Sequence, residues 1–449
     1  MSSTLGVAKW LPSDRSKILK WARKRLANYK AKNPERYAAF KKYFPDAQTA
    51  DEELQEFVRN ASLIKVIVDK MAFSDSIKEL IYAIGTEADV GQLVIEMFRQ
   101  QDHPEALGPA DMILLLSDTI RTTPDYVDNE SDIQIPCPVG ALLTYAMVTP
   151  AGYAAFLKRR VNELFRNILN DYQKNWLLTS NSVDKLADVE NGWFTPLALS
   201  EMPNFDDDFV CDPNAPHKGF KSFDDFFTRD LKKGARPVGG EDDPNVVVNA
   251  CENAPYGVTY VVQKYDAYWI KSQPYSVAYI LDNDPLMEKF IGGTIYQGFL
   301  SPHTYHQFHA PVSGKVVVSR LVSGTYFSQP YYTDNSANYI AAQPYLAHVS
   351  TRGVVIIDTE TALGLVAFVP IGMVDVSTVD LKIQPNQYIK KGENIGTFHF
   401  GGSSHVILFE KGKELAFDLQ GIKPDPLGNS FLKVNTKLAT FVPPKQGKK

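Results

Sequence analysis

Cysteine is scarce in this sequence. The 449 residues include three, Cys137, Cys211 and Cys251, at spacings that match neither a disulfide framework nor a zinc site. A stapled secreted scaffold is therefore excluded, and a reducing compartment is the simplest setting. Basic residues are not in excess either: 47 Lys and Arg against 52 Asp and Glu leave a formal net charge of -5. Without a concentrated cationic face, nucleic acid is excluded as the main partner. The N-terminus, MSSTLGVAKWLPSDRSK, lacks the apolar stretch of a secretory signal, so a soluble cytoplasmic protein is expected. Long uninterrupted apolar runs are also missing. Residues 133–157 carry no formal charge and precede Lys158, Arg159 and Arg160, but Pro136, Pro138, Gly140, Pro150 and Gly152 interrupt them, which predicts a buried loop and helix.

What is present divides into two textures. The first part, about 180 residues, has helical periodicity and cap signals. Ser13 is placed to cap a helix through Ile18, Leu19, Trp21, Ala22 and Leu26. Further on, Phe156, Leu157, Val161, Leu164, Phe165, Ile168, Leu169 and Tyr172 make one broad apolar stripe. From about Cys211 turn formers accumulate, and after Arg236-Pro237 short β-type runs follow at 245–249, 257–263, 314–321, 353–358, 363–370 and 404–409. The expectation is an α+β protein, with a helical N-terminal domain over residues 1–185 and a β-rich catalytic domain over 186–449. Two segments, APVSGKVVVSRLVSGTYFS and IQPNQYIKKGENIGTFHF, each place glycine at a turn between strands, as in a small twisted sandwich or barrel. The second also resembles the lysine-bearing hairpin of biotinyl and lipoyl carrier domains. Lys390 and Lys391 precede Gly392 there, which leaves a carrier domain as an alternative of a different class.

The chemistry centres on Phe398-His399-Phe400-Gly401-Gly402-Ser403-Ser404-His405. Two glycines leave the approach to their carbonyls unobstructed, and Ser403 is placed to attack the carbonyl before it. Alone, Gly-Gly-Ser-Ser is equally a flexible turn. The stretch FLSPHTYHQFHAPVSG adds His306 and His309, three residues apart, which on a helix would share one face. Histidine is the side chain suited to moving protons near neutral pH. No acidic or Cys ligand is spaced beside the pair, so no metal site is expected.

Taken in order, Phe226-Phe227-Thr228-Arg229 with Arg236-Pro237, Ser301-Pro302 through Tyr305-His306 and His309-Ala310-Pro311, and Lys391-Gly392-Glu393 through Gly396 to Gly402-Ser403 resemble the phosphatidylserine decarboxylases over about residues 215–440. The segments GPADMILLL, TPAGYAAFLKRRVNELF and NGWFTPLAL resemble the N-terminal extension of a fungal subgroup that includes soluble tryptophan decarboxylases. Gly401 ahead of Gly402-Ser403-Ser404 resembles the soluble aromatic decarboxylases more than the membrane enzymes.

The resemblance implies self-cleavage between Gly402 and Ser403, with Ser403 converted to a pyruvoyl cofactor that forms a Schiff base with an amino-acid amine and accepts electrons as CO2 leaves. It implies that His309, oriented by an acidic residue, activates Ser403. The family's aspartate falls here at Glu252, within Ala250-Cys251-Glu252-Asn253, one methylene longer. His306 is the candidate for protonating the carbanion. The implied substrate carries a free α-amine and α-carboxylate. A free aromatic amino acid such as tryptophan is favoured slightly over the phosphatidylserine head group, with peripheral membrane contact left open and a homo-oligomer expected.

Overall fold

Apolar spacing turns the first part of the chain into helices in the computed structural model, which describes residues 15–44, 61–101, 103, 106–129, 131, 133–266, 275–330, 342–375, 378–423 and 430–443. Helix Arg15–Lys32 buries Ile18, Leu19, Trp21, Ala22 and Leu26 as its spacing requires. Its expected cap, Ser13, lies outside the described residues. The apolar stripe from Phe156 to Tyr172 is not one helix. It breaks at Lys158, whose extended backbone separates Pro150–Leu157 from Arg159–Tyr172 and leaves Leu157 facing solvent. Asn162 makes the break tenable: its Nδ2 donates to the Phe156 carbonyl, which the first helix leaves unpaired, and to the Lys158 carbonyl, which also accepts the Asn162 backbone N–H.

The uncharged stretch at 133–157 folds as the helices Pro138–Leu143 and Pro150–Leu157 with turns between them. Pro150 opens the second, and Thr149 Oγ1 caps it by accepting the Gly152 N–H at 3.0 Å. Among the described residues no helix is long and apolar enough to cross a membrane.

The second part is a set of antiparallel sheets. Its strands are β1 (Val246–Val248), β2 (Ala254–Tyr260), β3 (Thr294–Leu300), β4 (Gln307–His309), β5 (Gly314–Val322), β6 (Arg352–Asp358) and β7 (Leu365–Met373), then β8 (Val379–Leu381), β9 (Tyr388–Ile389), β10 (Asn394–Phe398), β11 (Gly402–Phe409), β12 (Glu414–Phe417) and β13 (Lys437–Val442). The main sheet runs β2-β3-β11-β7-β6-β5-β9, beside the smaller sheets β4-β10-β8 and β1-β13-β12. The two glycine-bearing segments pair with each other, Gly314 opposite Ile389. Lys391 is not presented as a carrier lysine would be. Its ammonium is buried on the carbonyls of Gly240, Asp243 and Val246, which removes Lys391 from the carrier alternative, while Lys390 is exposed.

Strand β11 lies between β3 and β7, and all of its residues are buried. One face, with Ile407 and Phe409, packs on Phe308, Phe398 and Val379 of the β4-β10-β8 sheet. The other, with Val406 and Leu408, packs on Val277 and Ile280 of a short helix. Burial on both faces explains why GSSHVILF shows no polar alternation beyond its first residues. The largest apolar cluster joins the helices to Tyr305, Phe327, Met373, Val374 and Phe400, residues that surround the start of β11.

Candidate active site

The chain turns from β10 into β11 through Gly401, at φ +139°. At Gly402 an added Cβ would stand 2.9 Å from Cγ2 of Val374, so the close approach of the two strands requires glycine there. Ser403 pairs with Leu300 on β3 and Gly372 on β7. It is fully buried, and its Oγ has no hydrogen-bond partner among the described residues. Strand alternation turns Ser404 the other way. Its Oγ donates to the Gly298 carbonyl at 3.1 Å and accepts from Gln297 Nε2 at 3.1 Å. Of two adjacent serines, only Ser403 keeps an uncommitted hydroxyl.

The histidines are not on a helix. His306 precedes β4 and His309 ends it, and in extended chain residues three apart face opposite ways. They accordingly meet different partners. Nδ1 of His306 lies 2.9 Å from the Thr304 carbonyl and so carries the proton, while its Nε2 is buried with no partner among the described residues. The ring stacks on Phe227 at 4.0 Å. Burial, reinforced by the Arg229 charge, holds His306 well below the usual histidine range. Arg229 also donates to the carbonyls of His303 and Thr304, which fixes the loop that carries His306.

His309 places Nδ1 2.8 Å from the Gly392 carbonyl and Nε2 2.9 Å from the Tyr305 hydroxyl. Burial pushes its pKa down to about 4. The expected pairing of Glu252 with His309 is not formed. The Glu252 carboxylate is drawn instead to the buried Arg236 guanidinium at 2.5 Å, which Asp208 meets at 2.8 Å. The full positive charge of the guanidinium outcompetes a neutral imidazole for that carboxylate. The arrangement leaves the Ser403 hydroxyl without a hydrogen bond to His309.

Several residues that the sequence did not single out for a role lie at the site. Asp375, just past β7, is fully buried and accepts the backbone N–H groups of Val139 at 2.9 Å and Gly140 at 2.6 Å. Cys137 is fully buried near the Gly402 backbone, and burial together with the Asp375 charge pushes its thiol well above the usual range. His405 shares the Ser403 face of β11, beside Tyr296 and Phe368, and burial pushes its pKa down to about 3. Upstream of the glycines, His399 Nδ1 is 3.0 Å from buried Asp224. Phe400 packs edge-on against Tyr172, Phe223 and Phe227. Tyr305 and His405 stood inside motifs already noted. Asp375 and Cys137 had no local signal, because their partners are distant in sequence. Among the described residues no group of three His, Cys, Asp or Glu side chains is placed to hold a metal ion.

Known proteins match both parts of the chain. The phosphatidylserine decarboxylase profile matches residues 223–425, and a second phosphatidylserine decarboxylase profile matches residues 74–202. A decarboxylase of Amanita muscaria, iboD, is 38% identical over 292 residues, 61% of this chain and 83% of that protein. The L-tryptophan decarboxylase of Psilocybe cubensis is 34% identical over 360 residues, 75% of this chain and 80% of the relative. Phosphatidylserine decarboxylase proenzyme 3 of Schizosaccharomyces pombe is 29% identical over 247 residues, 54% of this chain but 24% of its own length. The protein is thus an enzyme of the carboxy-lyase class, a decarboxylase. It belongs to the phosphatidylserine decarboxylase family.

Proposed function

We propose that the chain is made as a precursor, cuts itself between Gly402 and Ser403, and then decarboxylates a free amino acid, an aromatic one such as tryptophan being favoured. The observation that carries this reading is the buried Ser403 hydroxyl, with no hydrogen-bond partner among the described residues, beside a glycine carbonyl and next to a serine whose own hydroxyl is fully engaged. Ser403 Oγ attacks the Gly402 carbonyl carbon. The C–N bond breaks, the hydroxyl proton passes to the freed amine, and an ester replaces the peptide bond. A base then removes the α-proton of residue 403, the Cβ–Oγ bond breaks, and Gly402 leaves as a carboxylate. Water displaces ammonia from the remaining dehydroalanine, which leaves a ketone at residue 403.

The site suits such a group. It is buried, it bears no side chain on the preceding two residues, His405 shares its face of β11, and His306 stacks on Phe227, which meets Phe400. A pyruvoyl carbonyl condenses with an amine and accepts the electron pair that departing CO2 leaves behind. His306, neutral and with a free Nε2, takes up the proton that a substrate ammonium sheds and returns it to the α-carbon afterwards. His309 is the base for Ser403, oriented by the Gly392 carbonyl rather than by Glu252. Greater coverage of the tryptophan decarboxylase than of the proenzyme supports a free amino acid over phosphatidylserine.

Intact-mass measurement of purified protein tests the cut. The expected products are residues 1–402 and a 47-residue piece, 403–449, whose N-terminus carries no amine. Ser403→Ala is expected to stay whole and inactive. An uncut chain of 50.2 kDa that releases CO2 from amino acids would falsify the reading.

A further inference from the structure

We propose that Asp375 is a positioning residue for self-cleavage, and that the helical part of the chain, through residues 137–140, is a working component of the processing site. The inference rests on the self-processing reading above. Met373, the last residue of β7, pairs directly with Gly402. The chain then turns sharply at Val374, which sits at φ +49°. A β-branched residue in left-handed backbone is strained and persists only where its surroundings hold it.

The hold comes from the next residue. Asp375 ties the turn to the amides of Val139 and Gly140, more than two hundred residues earlier in the chain. Charge-assisted bonds to two successive N–H groups fix a carboxylate in direction as well as in place. Val374 is thereby pressed against Gly402, the residue whose carbonyl Ser403 must reach. From the same helical segment, the buried Cys137 thiol lies near the Gly402 backbone and within the field of Asp375. The Tyr172 ring, from helix Arg159–Tyr172, meets Phe400 at 6.0 Å. Side chains or amides of the helical part therefore touch the scissile segment at residue 400 and the turn beside it, and lie near residue 402. Releasing Asp375 frees Val374 to relax, and the Gly402 carbonyl moves away from Ser403.

Among the described residues, Cys137 and Tyr172 feel the Asp375 charge, and burial pushes both far above their ordinary values. They stay neutral across the range in which Asp375, pushed up to about 7 by burial, gains its charge.

The test uses full-length precursor made by cell-free translation and chased on a denaturing gel, for the unaltered chain, Asp375→Asn and Cys137→Ala. Asp375→Asn is expected to slow cleavage by about a hundredfold, the scale of a misplacement of about 1 Å at a reacting centre. The unaltered chain is expected to cut faster as pH rises through about 7, and the variant to lose that dependence. Cleavage of Asp375→Asn at the unaltered rate, with the same pH profile, overturns the proposal. If Asp375→Asn shows no cooperative melting transition, Cys137→Ala decides: slowed cleavage in a cooperatively melting protein supports it, and an unaltered rate overturns it. An unaltered chain that never cuts defeats the self-processing reading itself, and this inference with it.

Discussion

The Tyr305 hydroxyl lies 2.9 Å from Nε2 of His309, and Nδ1 of the same ring lies 2.8 Å from the Gly392 carbonyl. A carbonyl only accepts, so Nδ1 carries the proton and Nε2 holds the lone pair, to which Tyr305 donates. His309→Ala is expected to leave the precursor uncut. Tyr305→Phe keeps the stacking on Phe209 and frees Nε2, so it should still cut, at a cost of about 1 kcal/mol in stability. Gel analysis and thermal melting of the two variants check this. An uncut Tyr305→Phe precursor would make the phenol part of the activation.

Glu252 serves Arg236 rather than His309. Glu252→Gln leaves the buried guanidinium with Asp208 alone and should lower stability by about 1–3 kcal/mol, measured by denaturant unfolding. Cleavage should continue. Failure to cut in a folded Glu252→Gln protein would restore the carboxylate as the orienting group.

His306→Ala should be cut and then turn over slowly, by about 10²–10⁴-fold, the usual contribution of a positioned acid or base. Mass spectrometry establishes the cut, and CO2 release per cleaved chain gives the turnover. Normal turnover in the cut variant would remove His306 from the reaction.

Buried histidines make the fold sensitive to acid. His303 and His405 are pushed down to about 3, His309 and His348 to about 4, each chiefly by burial. Below about pH 6.5 the unfolded chain binds protons that the folded chain refuses, so stability falls as pH falls. Each such histidine costs about 1.4 kcal/mol per pH unit until its folded value is reached. The melting temperature of Ser403→Ala protein, which avoids any change of covalent state, should drop steadily from about pH 6.5 toward pH 5. A flat profile there would contradict the burial of these rings.

Substrate choice is read from CO2 release on free tryptophan, tyrosine, phenylalanine and serine beside phosphatidylserine in micelles. The reacting atoms are common to all, so discrimination comes from the remote group, and burial of an indole supports a preference on the order of a hundredfold. Turnover of an aromatic amino acid without any lipid surface is expected. Reaction confined to phosphatidylserine would move the assignment to the lipid.

The sequence by itself determined the features that depend on near neighbours. The runs at 314–321, 353–358 and 404–409 became β5, β6 and β11 because apolar, β-branched stretches bounded by glycine and turn formers have few other local solutions. The glycine turn at Gly401 was legible from its neighbours, as was the buried face of helix Arg15–Lys32, whereas Gly402 and Ser403, read as part of that turn, already belong to β11. Tertiary structure decided what those features face. Whether Ser403 or Ser404 keeps a free hydroxyl depends on the register of β11 between β3 and β7, which places Gln297 over one serine and not the other. Glu252 was drawn from His309 to Arg236 because a desolvated guanidinium attracts a carboxylate more strongly than a neutral ring does. The helical break at Lys158 follows from the carbonyls that Asn162 can satisfy. Asp375 meets Gly140 across 235 residues of chain, a contact that no local pattern encodes and that only the packing of the helices against β7 and β11 brings about.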